Sequence, residues 1–248
     1  MKTKFLFLAL VSLLLTACSQ NESVEMNDEH QTQNSLRASL DNPLITFSWN
    51  TESRFMTDGK YEKAVAMNLQ KAAFIDWGDG TGDLFTELNP EAYGYCFYHH
   101  YASGGNYTVK IYGEADAIVQ FNNSNTWSGD PHRDYTMSRI DLSNCRSLKY
   151  LYLNRTADAT GTLDLRANNN LERIYCSENN YTMLFVNGNK LQVLCCQKNR
   201  FPYLELIGCT RLRLLDTRYS PECEALYLLR GVAATVLKDD HTILEYLL

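Results

Sequence analysis

Leu171-Glu172-Arg173-Ile174-Tyr175-Cys176-Ser177-Glu178-Asn179 and Leu191-Gln192-Val193-Leu194-Cys195-Cys196-Gln197-Lys198-Asn199 spell one phrase twice, leucine to asparagine. Fainter copies flank it: Leu148-x-x-Leu151-x-Leu153 before, Leu212-x-x-Leu215-x-Thr217 after. From Leu148 the leading leucines step by 23, 20 and 21 residues. Between the copies runs a second half-unit, at Ile140-x-Leu142-x-x-Cys145, Leu163-x-Leu165-x-x-Asn168, Leu184-x-Val186-x-x-Asn189 and Leu204-x-Leu206-x-x-Cys209. Agreement in phase over successive copies marks an internal repeat. In a strand, neighbouring side chains point to opposite faces, so each L-x-L sends two apolar groups the same way. One coil cannot bury them, but coils stacked at strand spacing can. The Asn or Cys three residues later turns the chain and satisfies backbone groups the turn leaves unpaired. Cys145, Asn168, Asn189 and Cys209 read as one such ladder. Cys176 and Cys196 share an inward slot in adjacent coils and read as small apolar fillers, with a disulfide as the alternative.

A 20–29-residue period with this L-x-x-L-x-L pattern resembles the leucine-rich repeat. The resemblance implies a short solenoid over 137–248. Arg155 to Gly161 reads as an insertion. Leu226-Tyr227-Leu228 keeps the half-unit, but the period fades after Arg230. Thr242 to Leu248 is therefore expected to be a terminal cap, since open solenoid ends need covering.

Upstream, residues 42–121 read as β. Leu44 to Trp49 alternates, Val65 to Leu69 is a second candidate, and Ala73-Phe74-Ile75-Asp76-Trp77-Gly78-Asp79-Gly80-Thr81 runs from an apolar strand into a turn. Tyr107 to Gly113 alternates strongly. The set Ile75-Asp76-Trp77-Gly78-Asp79-Gly80, then His100-Tyr101, then Gly105-Asn106-Tyr107-Thr108-Val109, resembles a PKD-like domain, which implies an immunoglobulin-like β-sandwich. The fold class expected is thus mostly β: that sandwich followed by the solenoid. Asp76, Asp79 and Asp83 near a turn permit calcium in principle. The preferred reading is that Asp79-Gly80 sets the turn and Asp76 caps backbone groups. Adjacent His99 and His100 point apart and cannot easily share an ion; His100 reads as the packed one, beside Tyr101. No metal or cofactor is expected. The polar stretch from Asn122 to Tyr135 reads as the joint, with the linker at 122–136.

The N-terminus sets the compartment. Lys2 and Lys4, an apolar run from Phe5 to Leu15, and Leu15-Thr16-Ala17-Cys18 describe a secretory signal over 1–18 that resembles a bacterial lipobox. That resemblance implies lipidation of Cys18. The apolar run is shorter than the about 20 residues a spanning helix needs, so the expected attachment is the acyl anchor alone. Residues 19–41 are polar with little to bury and read as a flexible stalk. The net charge of −6 argues against nucleic acid. No GxSxG, HExxH or P-loop is present, and no enzyme is expected. The ensemble resembles Bacteroidetes-type surface lipoproteins, which implies an outer-membrane or cell-surface location. It also implies a binding or adhesion role, with a host or neighbouring-cell protein or a glycan as partner. The other possibility is a spacer or accessory subunit of an outer-membrane complex.

Residues beside the inward leucines face the solenoid's concave side. They are Tyr150, Tyr152 and Asn154; Arg173, Tyr175 and Ser177; Val193, Cys195 and Gln197; Leu214, Asp216 and Arg218. Tyr and Arg are the types enriched at interface hot spots, so the candidate ligand-binding set is Tyr150, Tyr152, Arg173, Tyr175, Gln197, Asp216 and Arg218. Tyr also favours strands for its own sake, so the same residues suit an ordinary exposed sheet. The other half-unit would instead present Asp141, Asp164, Phe185 and Glu205.

Overall fold

A computed structural model describes residues 4–6, 42–51, 61–88, 95–123, 137–156 and 160–248. Cys18, the stalk, residues 124–136 and all of the expected signal except residues 4–6 lie outside the described residues. So do 157–159 of the expected insertion. The described residues are mostly strand and contain no helix, and none of them forms an apolar helix long enough to cross a membrane.

Among the described residues nineteen strands form four sheets. In the first half lie β1 (Lys4–Leu6), β2 (Ile45–Asn50), β3 (Tyr61–Leu69), β4 (Ala73–Asp76), β5 (Thr81–Phe85), β6 (Tyr95–Tyr101), β7 (Asn106–Gly113) and β8 (Ile118–Asn122). In the second lie β9 (Ser138–Asp141), β10 (Tyr150–Tyr152), β11 (Thr160–Leu165), β12 (Arg173–Tyr175), β13 (Asn180–Val186), β14 (Val193–Cys195), β15 (Tyr203–Leu206), β16 (Leu214–Asp216), β17 (Ala225–Leu229), β18 (Thr235–Leu237) and β19 (Ile243–Leu247).

Strand alternation builds the first half. β2 buries Ile45, Phe47 and Trp49 and half-exposes the residues between. It belongs to a six-stranded sheet ordered β1-β5-β4-β7-β2-β9. Phe47 meets Phe121 of the second sheet at 5.9 Å, and Trp49 meets Tyr101 edge-on at 6.3 Å, so the two sheets share one core. The polar atoms of its Trp49, Tyr101 and Trp77 side chains are paired, as burial demands. Trp49 Nε1 donates to the Tyr101 hydroxyl at 2.8 Å, that hydroxyl donates to the Trp77 carbonyl at 3.0 Å, and Trp77 Nε1 donates to Asp83 at 2.8 Å. Asp76 accepts the Gly78 N–H, and Asp79 accepts the Thr81 N–H, so both carboxylates hold the turn. Gly78 sits at φ 82° and a Cβ there would lie 2.4 Å from the Thr108 carbonyl oxygen, which accounts for glycine.

One expectation fails here. The packed histidine is His99, which is 4% exposed, stacked on Trp77 at 4.8 Å and bonded to Asp79 at 2.8 Å. His100 is exposed. Phe97, His99 and Tyr101 point inward together, so strand parity places His100 on the outer face.

From residue 150 to 247 the chain is a solenoid of parallel strands, two per coil. The front strands β10, β12, β14, β16 and β18 pair in register, aligning Leu151, Ile174, Leu194, Leu215 and Val236. The back strands form two sheets, β11-β13 and β15-β17-β19. The expected cap over Thr242 to Leu248 is part of a further coil: β18 and β19 extend both sheets in register, with Val236 and Leu244 half-exposed. The front sheet does not begin at β10. β8 pairs parallel to β10 and antiparallel to β3, so one eight-stranded sheet, β18-β16-β14-β12-β10-β8-β3-β6, crosses the expected joint. Its inward column runs unbroken from Met67 through Phe121 to Leu151.

Two ladders line the turns. After the front strands stand Thr156, Asn179, Asn199 and Ser220, all buried. The Asn179 amide donates to the Leu153 and Cys176 carbonyls at 2.7 and 2.9 Å, and its oxygen accepts the Thr156 N–H at 2.7 Å. Asn199 repeats this on Cys176 and Cys196. Before the front strands stand Cys145, Asn168, Gly188 and Cys209. Asn168 donates to the Leu142 and Cys145 carbonyls. The expected Asn189 is displaced from this ladder by one residue and is exposed; the Leu191 N–H bonds to the Gly188 carbonyl instead. A Cβ on Gly188 would lie 2.0 Å from Cys209 Sγ, so the slot must be glycine while cysteine fills the next coil.

Candidate binding face

Register places the predicted site residues in two columns across the front sheet. One runs Gln120, Tyr150, Arg173, Val193, Leu214, Thr235. The other runs Asn122, Tyr152, Tyr175, Cys195, Asp216, Leu237. Gln120 and Asn122 are buried, so the solvent-reached part of the face starts at Tyr150 and Tyr152. Strands about 4.8 Å apart bring column neighbours into contact. The Tyr152 and Tyr175 rings stack at 4.9 Å and 2°, and the Arg173 guanidinium lies 5.7 Å from the Tyr150 ring centre. The four residues thus form one patch of two aromatic contacts. Burial raises the Tyr152 phenol above its ordinary value, with Tyr175 adding to the effect, so the hydroxyl stays protonated and able to donate.

Gln197, Asp216 and Arg218 form a second group farther along. Asp216 is 5% exposed, its carboxylate accepting Arg218 at 2.7 and 3.0 Å and Gln197 at 2.5 Å. It holds its neighbours in place and offers little of itself to a ligand, whereas Arg218 stays half-exposed. Between the groups the half-buried Cys195 leaves a low point beside Tyr175.

Sequence reasoning missed Tyr219. It is 63% exposed, has φ 60°, and lies 5.9 Å from the Arg218 guanidinium. Arg155, Glu178 and Lys198 hold the same positive φ at equivalent turns. The signal was the position itself, three residues after the end of β10, β12, β14 and β16.

Asp141, Asp164, Phe185 and Glu205 lie on the other side of the coils, all exposed. Asp164 is locked onto Arg166 at 2.6 Å, and Phe185 carries the Arg166 guanidinium at 4.9 Å. Exposed Met183, Tyr203 and Ile243 add apolar surface there.

All seven cysteines of the described residues are free, Cys176 and Cys196 included. Burial pushes the thiols of Cys145, Cys176 and Cys209 up to about 12, which leaves them un-ionised and inert. Among the described residues no cluster of three His, Cys, Asp or Glu side chains is placed to hold a metal ion. No protein-family model matches the chain, and neither the curated proteins nor the solved structures compared with it give a match.

Proposed function

We propose that the chain is a lipid-anchored binding protein of the bacterial outer membrane or cell surface, attached through Cys18. In this reading it has a PKD-like, immunoglobulin-like first half and a leucine-rich-repeat second half. It recognises a host or neighbouring-cell protein or a glycan on the concave face and catalyses nothing. The observation that carries the reading is the Tyr150, Tyr152, Arg173, Tyr175 patch: interface-prone side chains held side by side by register, on a rigid sheet, at the solvent-reached start of the face. Rings already stacked lose little conformational freedom on binding, which favours affinity.

The test is a glycan and host-protein array probed with the purified protein. A reproducible hit that disappears in the Tyr152→Ala, Arg173→Ala double variant supports the reading, and a hit unchanged by it refutes the site. A second reading, an accessory subunit or spacer in an outer-membrane complex, draws on the exposed apolar Met183, Phe185, Tyr203 and Ile243 on the back. It predicts a blank array and a stable partner co-purifying from solubilised membranes.

A further inference from the structure

The two rims of the solenoid differ in charge balance. The rim after the front strands neutralises most of its own cations. Arg155 and Lys198 share Glu178 at 3.0 and 3.5 Å, Arg200 bonds Glu222 at 3.1 Å, and Arg218 bonds Asp216. The rim before the front strands spans segments 144–149, 167–172, 187–192 and 208–213. It carries Arg146, Lys149, Lys190, Arg211 and Arg213 against the single acid Glu172. All five cations are exposed, and none forms an ion pair among the described residues, Lys190 donating instead to the Asn170 amide oxygen at 2.6 Å. Backbone bonds stack these turns directly: the Lys149 carbonyl accepts Glu172 N–H, the Glu172 carbonyl accepts Gln192 N–H, and the Gln192 carbonyl accepts Arg213 N–H. That column reads Lys149, Glu172, Gln192, Arg213, at about 4.8 Å per coil, and Lys190 and Arg211 stand two residues before it on adjacent coils, so cations lie at both ends of the rim. Lys190 and Arg211 are one coil apart, closer than a Debye length, about 8 Å at physiological salt, so their repulsion is only partly screened. In a chain of net charge −6, an unbalanced cationic rim is a feature that a ligand explains better than solvation does.

We infer that this rim binds a linear anionic polysaccharide, one bearing carboxylate or sulfate groups along its length. This rests on the binding-protein reading and names the ligand class. Cations on the first, third and fourth coils of one rim match a linear polymer with anions repeated along its length. Exposed Asn169, Asn187 and Asn189 are interleaved with the cations, and amides suit sugar hydroxyls. Each acidic sugar ring presents both an anion and hydroxyls, whereas an acidic peptide uses only the cations. Tyr150, Val193 and Leu214, half-buried just below the rim, give the ring faces an apolar floor.

The test is titration of the full-length protein with polygalacturonate, dextran, poly-glutamate and duplex DNA at several salt concentrations. Polygalacturonate is expected to bind, more weakly as salt rises, and dextran not to bind. Lys190→Glu, Arg211→Glu and Arg213→Glu together are expected to weaken binding about tenfold or more, mainly through association. Arg155→Glu, Lys198→Glu and Arg200→Glu make the same change in net charge on the opposite rim and are expected to leave affinity within about twofold. Equal binding of poly-glutamate or DNA would overturn the polysaccharide, as would indifference to the first triple variant. An array hit on a neutral glycan or an uncharged protein surface, lost in the Tyr152→Ala, Arg173→Ala variant while polygalacturonate fails to bind, would sink this inference and leave the binding-protein reading standing.

Discussion

The front and back of the solenoid are made from the same chain with the same leucine spacing, yet only the front is continuous. Front strands pair without a gap from β10 to β18. On the back, β13 and β15 share no ladder; Tyr181 at the start of β13 bonds instead to the turn before β15, its carbonyl accepting the Arg200 N–H and its N–H donating to the Asn199 amide oxygen. Coil length varies, and the difference has to be absorbed somewhere. Front turns cannot absorb it, because Asn179 and Asn199 tie three and four backbone groups to fixed positions. The back carries no such run of asparagines, so irregularity collects there. Side-chain bonds to backbone, more than leucine burial, decide which face of this solenoid is straight.

The largest test is a pair of truncations. Leu194→Ala, fully buried at the middle of the front column, is expected to cost about 2–5 kcal/mol in denaturant unfolding. Val186→Ala, half-buried where the back breaks, is expected to cost about 1 kcal/mol. Equal costs would mean the two faces contribute alike. Next comes the ladder itself. Asn179→Ala strands two carbonyls and the Thr156 N–H, at about 1–3 kcal/mol for a buried group left unpaired. Asn189→Ala, exposed, is expected to change stability by less than about 0.5 kcal/mol. A costly Asn189→Ala would restore it to the ladder. Gly188→Ala should lose about 1–3 kcal/mol by overpacking against Cys209. In a Cys209→Ala background the loss should shrink, and strict additivity of the two changes would rule out the contact. The smallest effect has the opposite sign. Tyr219→Gly relieves a left-handed backbone costing about 1–2 kcal/mol and brings back about 0.5–1 kcal/mol of glycine entropy. Thermal unfolding should show slight stabilisation; a clear loss would show that the Arg218 contact outweighs the strain.

The sequence exposed the parts of this molecule that repeat. The phrase from Leu171 to Asn179 fixed the front strands, their inward residues and the asparagine turn, because each follows from local alternation. It also put Tyr152 next to Tyr175. What stayed hidden depended on partners far away in the chain. Ile118 to Asn122 is buried at every position, so no alternation reveals that it pairs on both sides and joins the halves. Asn189 attracted assignment by its chemistry, whereas the 20-residue step from Leu171 to Leu191 pointed to a slot one residue earlier. The charge imbalance between rims was spelled out in the sequence, but only stacking shows that Lys149 and Arg213 stand on one line.

The double pairing of β8 has a consequence for how this architecture changes length. Nearest-neighbour contacts hold each coil in a solenoid. The first coil grows directly on a strand already fixed in the upstream half, so that half serves as its template and a fragment starting at residue 137 would lack one. Among the described residues each later coil rests on the coil before it, so removing β18 and β19 would expose β16 and β17 at the cost of one interface, while any change beside β8 breaks the core of both halves. The upstream half fixes where the solenoid starts.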